Sequence, residues 1–215
     1  MIESENMEKG RIAIGVPSQI GTFYIFENIA KFHELYPNIE ITIISKSTSQ
    51  LLSLLESHEI DFVIDSSPIV TASNNFVIKP LTEVNNCFVA SKNMDITNIK
   101  SIDDLASFPL ILPIPGTSNR SRVDKMFDNS NVKINNVINI HTSEMIVGAV
   151  KRNLGIGYVI YDLVKNDIDN GDMVLVDVKK ELPKIEVNLV YVKKYLTTAP
   201  LKFIKMFVLN DIRDY

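Results

Sequence analysis

The sequence predicts an α/β fold made of two similar units in series along its 215 residues. Three short apolar segments at residues 11–16, 39–44 and 60–64 alternate with two segments of helical periodicity. This alternation is typical of a parallel sheet with crossover helices. The same rhythm restarts after Pro80, and no Gly/Ser-rich linker intervenes. We therefore expect the chain to pass between the units on extended strand near residues 80–90.

Local signals place the elements of the first unit. The apolar run 11–16, which a glycine and a proline close, predicts a buried strand. Apolar residues at helical spacing predict a helix over 22–36 that ends before the next proline. A polar turn at 45–49 leads into an apolar segment that predicts a helix from about residue 50 to residue 57.

The second unit repeats this alternation. A loop with two prolines and a glycine, 113–118, precedes a predicted helix around residues 120–127. Further helices are predicted to begin at Ser101, Ser143 and Leu201, and the last of them runs to about Arg213. The predicted strands are 87–90, 110–112, 137–140, 156–160, 173–178 and 187–192.

The charge distribution argues against a DNA-binding surface on this chain. Its net charge is −4, and its densest basic groups are the pairs Lys179-Lys180 and Lys193-Lys194. A DNA-binding surface neutralises phosphates and usually carries a larger basic patch. We therefore expect any DNA contacts of a parent protein to lie elsewhere.

Composition also predicts a cytoplasmic protein. Cys87 is the single cysteine, so no intrachain disulfide can form. The polar, acidic start of the chain does not resemble a secretory signal. No apolar run approaches the roughly 20 residues needed to span a bilayer.

Five short motifs stand in order along the chain. Each motif is weak alone, but together they extend from about Arg11 to Phe207. The motifs are Arg11-Ile-Ala-Ile-Gly15, Phe32-His-Glu-Leu-Tyr-Pro-Asn-Ile-Glu-Ile41, Glu59-Ile-Asp-Phe-Val-Ile64 after the leucines at 51–55, Ile102-Asp-Asp-Leu105 with Pro109-Leu-Ile111, and Val150 with Leu154-Gly-Ile-Gly157. In this order they resemble the effector domains of LysR-type bacterial transcription regulators.

The resemblance implies a periplasmic-binding-protein type 2-like architecture, with two Rossmann-like lobes joined by two crossover segments and an effector bound between them. Lobe I is expected at 11–84 plus 186–215, and lobe II at 85–185. Residues 1–10 are expected to be the remnant of a linker to a missing winged helix-turn-helix domain. Promoter DNA would be contacted through that domain only, and the sensor domain would form a homodimer or tetramer.

The chain departs from the family pattern at four positions. The family often has glycine where this chain has Lys46, His58 and Asn153, and proline where Ile160 stands. These positions are expected in loops and at helix ends. They bear on the identity of the ligand and leave the predicted fold unchanged.

Three hydroxyl-rich turns are the candidate ligand-binding sites. They follow predicted strands and precede helices, where free backbone N–H groups favour anions. Serine and threonine are also ordinary N-cap residues, so each turn alone has a structural explanation. Loops of the family that bind effectors match these turns, which together predict a small anionic ligand. The candidate ligand-binding residues are Ser18, Gln19, Lys46, Ser47, Thr48, Ser49, Thr117, Ser118 and Tyr158.

Two of these assignments have open alternatives. Lys46, together with Arg120, is a candidate counter-ion, although each is also expected as a solvated surface charge. Tyr158 is predicted either to line the cleft or to belong to the core.

The sequence predicts no enzyme, no metal site and no cofactor. His33, His58 and His141 are scattered without zinc-site spacing. Cys87 lies in an apolar strand, where thiols are usually inert. Asp61 and Asp65 are expected to cap loops and not to form an acid/base pair.

Two alternatives share the two-lobe architecture. A solute-binding protein of a transporter has the same fold but requires export. An enzyme on a two-lobe scaffold requires a catalytic constellation that the sequence does not show. A helix-turn-helix encoded upstream would favour the regulator, and a signal peptide or lipobox would favour the transporter.

Overall fold

The computed structural model describes residues 9–17, 20, 24–71, 73–130, 132–182 and 184–207. The strands are β1 (Gly10–Gly15), β2 (Ile39–Ile44), β3 (Phe62–Ser66), β4 (Val77–Val84), β5 (Asn86–Ser91), β6 (Leu110–Pro113), β7 (Val137–Ile140), β8 (Ile156–Ile160), β9 (Met173–Leu175) and β10 (Ile185–Tyr191). The α-helices are α1 (Phe26–Leu35), α2 (Thr48–Glu56), α3 (Ser118–Asp128), α4 (Ser143–Lys151), α5 (Lys165–Asp169) and α6 (Thr198–Phe207). Short 3₁₀ segments lie at Asp103–Ser107, Tyr161–Leu163 and Lys193–Tyr195.

The described chain divides into two compact units. The residues up to Thr82 and from Glu186 onward form unit 1, and Glu83–Ile185 form unit 2. The chain therefore crosses between the units twice, once near the end of β4 and once at the start of β10.

Unit 1 contains a five-stranded sheet in the order β2-β1-β3-β10-β4. β1 pairs in parallel with β2 along its whole length, and it also pairs in parallel with β3. β10 runs antiparallel to β3, with Val187 opposite Ser66. The apolar face of α2, with Leu51 and Leu55, packs against β3 in the core of this unit.

Unit 2 contains a second five-stranded sheet in the order β7-β6-β8-β5-β9. β6 is parallel to both β7 and β8, while β5 is antiparallel to β8 and β9. One face of the sheet carries the larger core cluster, which includes Phe88, Val123 of α3 and Tyr158. The other face packs against α4 through Ile146 and Val150.

Several predicted boundaries move in the structure. The helix predicted from about 50 begins at Thr48, and the strand predicted over 173–178 ends at Leu175. The final helix begins at Thr198, so Pro200 lies in its first turn, where a missing N–H costs nothing. Pro80 lies within β4, which is an edge strand and therefore tolerates proline.

Two of the departures from the family pattern lie in left-handed backbone. His58 has φ 60° and Asn153 has φ 59°. Each directly follows the C-cap residue of its helix, α2 and α4 respectively. In both places the backbone N–H groups return to the final turn: Glu59 N donates to Leu54 O, and Leu154 N donates to Ala149 O. This geometry is a Schellman motif, which favours glycine and tolerates asparagine. Glycine would adopt the backbone conformation of these two positions without strain.

The glycines at the start of β8 permit close packing on both sides. A Cβ on Gly155 would lie 2.4 Å from Pro109 O, because β8 begins directly beside the chain that enters β6. A Cβ on Gly157 would lie 2.6 Å from Val150 Cγ2, because α4 packs directly on the strand at this point. Within the described residues, no helix combines the length and apolarity needed to cross a membrane.

Candidate functional site

The candidate sites lie where the parallel strands of each sheet end, since this is where ligands bind in open α/β sheets. In unit 1 these strands are β1, β2 and β3, and in unit 2 they are β6, β7 and β8. The turn after β1 was predicted to supply Ser18 and Gln19, and both residues lie outside the described part of the chain.

The turn after β2 presents three exposed side chains, Lys46, Ser47 and Ser49. Ser47 is the N-cap residue of α2, and its backbone N–H donates to Gln50 Oε1 at 3.3 Å. The Ser47 and Ser49 hydroxyls lie 3.3 Å apart. The Ser47 hydroxyl donates to Gln50 Oε1 at 3.1 Å, so at the surface it keeps acceptor capacity only.

Thr48 makes a contact that the sequence did not reveal. Its Oγ1 donates to Asp65 Oδ2 at 2.5 Å, and Asp65 Oδ1 accepts from Ser66 N at 2.6 Å. Asp65 is only 2 % exposed and lies near the end of β3. A buried carboxylate therefore lies at the N-terminal end of α2, where the helix dipole favours negative charge.

Asp61 has a different partner from Asp65. Its Oδ2 accepts from Ala13 N at 2.7 Å, so it bridges β1 to the segment before β3. Burial raises the pKa of Asp61, and the hydrogen bond from Ala13 partly offsets this. The two carboxylates thus serve separate structural contacts.

A second polar group lies beside the end of β3. Ser67 Oγ accepts from Asn188 Nδ2 at 2.7 Å and donates to Glu186 Oε1 at 3.1 Å. Ser67 N donates to Glu186 O at 2.8 Å. The exposed Glu186 therefore adds a second carboxylate to this edge of unit 1. Sequence reasoning missed it, because 119 positions separate Ser67 from Glu186.

In unit 2 the turn after β6 leads into α3. Thr117 is the N-cap residue, and its Oγ1 accepts from Arg120 N at 3.2 Å and donates to Ile114 O at 3.1 Å. Gly116 supports the turn with φ 88°. The Thr117 hydroxyl therefore has acceptor capacity left, and Ser118 is half-buried beside it.

The expectation that Arg120 is a solvated charge was wrong. Its side chain is only 12 % exposed, and Nε contacts Asp124 Oδ1 at 2.7 Å. Its Nη1 donates to Pro113 O and to Asn139 Oδ1, so the guanidinium ties α3 to the ends of β6 and β7. Arg120 holds the turn in place, and its guanidinium is hydrogen-bonded within the protein.

A buried polar cluster lies beneath the first turn of α3. Asn86 Nδ2 donates to Asn119 Oδ1, and both residues are almost fully buried. The Tyr158 hydroxyl, which neighbours the Asn86 side chain, and Asn86 Oδ1 are also buried. Two Arg122 guanidinium nitrogens, Nη1 and Nη2, are buried in this unit as well. We call Asn86, Asn119, Arg122 and Tyr158 the α3 cluster.

Tyr158 belongs to the core. It is 0 % exposed, and its ring centroid lies 4.9 Å from that of Phe88. Burial raises the pKa of the phenol to about 12, and the Asn86 side chain and the Arg122 charge offset part of this rise. The hydroxyl therefore stays neutral and can donate.

A shallow groove of about 360 Å³ lies next to the turn after β2. The exposed side of α2, with Ser49 and Ser53, forms one wall, and Thr71, Ser73 and Phe76 belong to the other. Its lining is mixed, with hydroxyls beside apolar side chains. Ser49 is thus both a candidate ligand residue and part of this groove.

Two residues considered for catalysis, His58 and Cys87, pack against neighbouring side chains. The His58 ring lies 3.8 Å from the Tyr195 ring, centroid to centroid. Burial raises the pKa of the Cys87 thiol to about 12, with a smaller contribution from Asp162. Within the ranges that the structure describes, no three His, Cys, Asp or Glu side chains form a group that could hold a metal ion.

The family model for the LysR substrate binding domain matches residues 5–208. The chain belongs to this family. This chain is 25% identical over 156 residues to the HTH-type transcriptional regulator cbl of Escherichia coli K12. The match covers 72% of this chain and 49% of that protein. The chain spans about half the length of the curated relatives it matches.

Solved structures show the same fold for this LysR substrate binding domain. The cofactor-binding domain of the Cbl regulator aligns with a TM-score of 0.80 at 21% identity, covering 94% of this chain and 89% of that one. The regulatory domain of CcmR from Synechocystis PCC6803, solved in complex with 2-PG, aligns with a TM-score of 0.81 at 17% identity, covering 95% and 98%. The predicted two-lobe, periplasmic-binding-protein type 2-like fold is thus confirmed. The relatives are named as transcriptional regulators, which favours the regulator over the transport and enzyme alternatives.

Proposed function

We propose that this LysR substrate binding domain is the effector sensor of a bacterial transcription regulator. Binding of a small metabolite to this domain controls how the parent protein engages promoter DNA. The observation that carries this proposal is the family match over residues 5–208. The turns at the strand ends of both sheets support it, because they combine hydroxyl groups with helix N-termini.

The proposed effector is a small anion that binds at the turns where the parallel strands end. In unit 1 it contacts the turns after β1 and β2, through Ser18, Gln19, Lys46, Ser47, Thr48 and Ser49. In unit 2 it contacts Thr117 and Ser118 at the start of α3, with Tyr158 beneath them. The complex of CcmR with 2-PG supports a small-molecule ligand for a domain of this fold.

The hydrogen-bonding capacity of the turns fits a polar ligand. The exposed Ser47 and Ser49 hydroxyls keep lone pairs that can accept a hydrogen bond from a ligand, and Lys46 supplies a positive charge beside them. Thr117 already caps α3, so it offers a ligand only a lone pair. The backbone N–H groups of the first turn of α3 are the natural donors to an anion there.

The parent protein is proposed to contact promoter DNA through a separate N-terminal domain and to act in the cytoplasm. Self-association of the sensor domain is part of the proposal. Large apolar side chains are exposed on α1, on β2 and β7 at the sheet edges, and on α4. They are Phe26, Leu35, Ile43, Ile138 and Met145.

A metabolite screen by thermal shift tests the proposed function. A ligand that binds only the folded domain stabilises it by about 2.7 kcal/mol at a hundredfold excess over its dissociation constant. Small organic or inorganic anions should raise the melting temperature ahead of apolar compounds. The screen contradicts the proposal if an apolar or cationic compound gives the largest shift.

Alanine substitutions then test the site. The combined variant of Ser18, Ser49 and Thr117 should lose the ligand-induced shift, measured against its own unliganded melting temperature. That reference matters because loss of the Thr117 cap alone costs about 1 kcal/mol. A control variant replaces Thr42 and Ser57, which are exposed hydroxyl residues away from these turns, and should respond like the wild type. An unchanged response of the triple variant would refute the site assignment.

A further inference from the structure

A pocket of about 330 Å³ lies at the C-terminal end of α2. Three segments form its walls: the end of α2 with the turn after it, the residues just before β4, and the 3₁₀ segment after β10. Its volume is at the lower end of the range of about 300–1,000 Å³ that is usual for small-molecule sites. We call it the Tyr195 pocket, and the side chains that give it its chemistry are Glu56, His58, Phe76, Lys193, Lys194 and Tyr195.

The Tyr195 pocket is separate from the proposed effector turn after β2. That turn leads into the first residue of α2, Thr48, whereas Glu56 is the last residue of this nine-residue helix. A helix of that length extends about 13 Å, so the turn and the pocket lie at opposite ends of it. All the residues that line the pocket belong to unit 1. The pocket is therefore complete within one unit.

Aromatic rings line the pocket. The His58 and Tyr195 ring centroids lie 3.8 Å apart, with 35° between the ring planes, and the half-buried Phe76 adds a third ring. His58 has φ 60°, a backbone conformation that favours glycine, so the turn itself does not require an imidazole there. Such rings offer stacking and edge contacts to a planar ligand.

The pocket also contains one of the two basic pairs of the chain, Lys193-Lys194. Both lysines are exposed, and none of the ion pairs within the described part of the chain involves either of them. The Lys194 ammonium lies 5.7 Å from the centroid of the Tyr195 ring. With histidine counted as neutral, the lining has two positive charges and one negative charge, that of Glu56, although the whole chain carries −4. The pocket is thus a locally positive site that favours an anion.

We propose that the Tyr195 pocket is a second ligand-binding site, for a small molecule that joins a planar aromatic ring to an anionic group. The ring packs on Phe76 and Tyr195, and the anionic group pairs with Lys193 and Lys194. Glu56 accepts a hydrogen bond from a hydroxyl or amino group of the ligand. Aromatic carboxylates and nucleoside monophosphates both have this chemistry. This site is additional to the proposed effector turns and does not depend on them.

An NMR titration of the ¹⁵N-labelled chain tests the proposal with two probes, adenosine monophosphate and 4-hydroxybenzoate. At least one probe should shift the backbone amides of residues 56–58, 75–76 and 193–195, and the probe that does so identifies the source of the ligand. Adenosine and phenol lack the anionic group, and inorganic phosphate and acetate lack the ring. Each should bind about fivefold or more weakly than its parent probe, because it keeps only one of the two interactions.

The combined variant Lys193→Gln and Lys194→Gln tests the role of the charges. Removing each charge from contact distance in a solvated site weakens binding by about fivefold, so the pair should weaken it by more than about tenfold. Lys179→Gln with Lys180→Gln is the matched control. It changes the other basic pair, which is also exposed and lies in unit 2, and it should leave the affinity unchanged.

His58→Gly tests the contribution of the imidazole. Glycine adopts φ 60° without strain, so this variant keeps the turn while it removes the ring. The probe should bind about threefold or more weakly to it, because base–aromatic stacking contributes about 1–3 kcal/mol per ring. Asn153→Gly is the matched control, since it makes the same kind of change at φ 59° in unit 2 and should not alter the affinity.

Several results would overturn the second site. These are the absence of shifts at the pocket amides with both probes, equal affinity of the ring-free anions, and a loss of less than threefold in the double lysine variant. Shifts confined to residues 46–49 and 117–118 would also overturn it, because they assign the probe to the proposed effector turns. A metabolite screen that finds no effector would count against the sensing function and leave the pocket titration as an independent result.

Discussion

Gly155→Ala should destabilise the protein strongly, although it adds only one methyl group. The new Cβ would lie 2.4 Å from Pro109 O and 2.9 Å from Pro109 C, which are both backbone atoms. Neither can rotate away, so β8 and the entry to β6 must separate. The hydrogen bond from Ile156 N to Pro109 O, now 2.8 Å, lies at the point of contact.

The expected loss of unfolding free energy follows from two contributions. Weakening one backbone hydrogen bond costs about 0.5–1.5 kcal/mol. Forcing a methyl group into a packed site costs about 1–3 kcal/mol more. The total of about 1.5–4.5 kcal/mol corresponds to a fall of roughly 3–18 °C in Tm for a chain of this size.

Gly148→Ala is the matched control, because it is the same chemical change seven positions away. Gly148 lies inside α4, and the nearest atom to an added Cβ is Arg152 Nη1 at 3.6 Å, an ordinary contact. Alanine in a helix interior should stabilise by about 0.5–1 kcal/mol. Urea denaturation followed by circular dichroism measures both variants. A Gly155→Ala variant within 1 kcal/mol of the wild type would refute the reasoning from close backbone approach.

Two further predictions concern Cys87 and self-association. With its pKa raised to about 12, the buried Cys87 thiol should be almost fully protonated at pH 8. It should therefore ignore Ellman's reagent in the native protein and react as one thiol per chain in denaturant; rapid native reaction would contradict its burial. The domain should sediment as a dimer at tens of micromolar, and combined Phe26→Glu and Met145→Glu substitutions on the exposed apolar side chains should shift it toward monomer, whereas Ser57→Glu should not. A strictly monomeric wild type would count against the proposed self-association.

The order of strands and helices could be predicted because it depends on local patterns. Apolar alternation, helical spacing and proline positions each lie within a few residues of the element that they specify. The strand predicted over 173–178 shows the limit of this reasoning. Val176 and Val178 are buried in the core as a strand would be, yet the regular strand ends at Leu175, with one more backbone hydrogen bond from Val176 N to Phe88 O.

The contacts of the candidate sites could not be predicted in the same way. Thr48 and Asp65 are 17 positions apart, Asn86 and Asn119 are 33 apart, and Ser67 and Asn188 are 121 apart. Only the topology of the sheets brings such pairs together. The turns were recognisable as hydroxyl-rich segments. The Asp65 carboxylate that accepts a hydrogen bond from Thr48 in one of them, however, lies on a separate strand, β3.

The position of β10 has a consequence for how the chain folds. β10 lies between β3 and β4, so the sheet of unit 1 cannot close until residues 185–191 are available. Unit 2, by contrast, is one continuous segment. During synthesis unit 2 can therefore fold first. β3 meanwhile remains without its partner β10, which lies more than a hundred residues downstream. Because such non-local pairing is slow, the assembly of unit 1 should limit the folding rate, and its unpaired strands are the main aggregation hazard of the nascent chain.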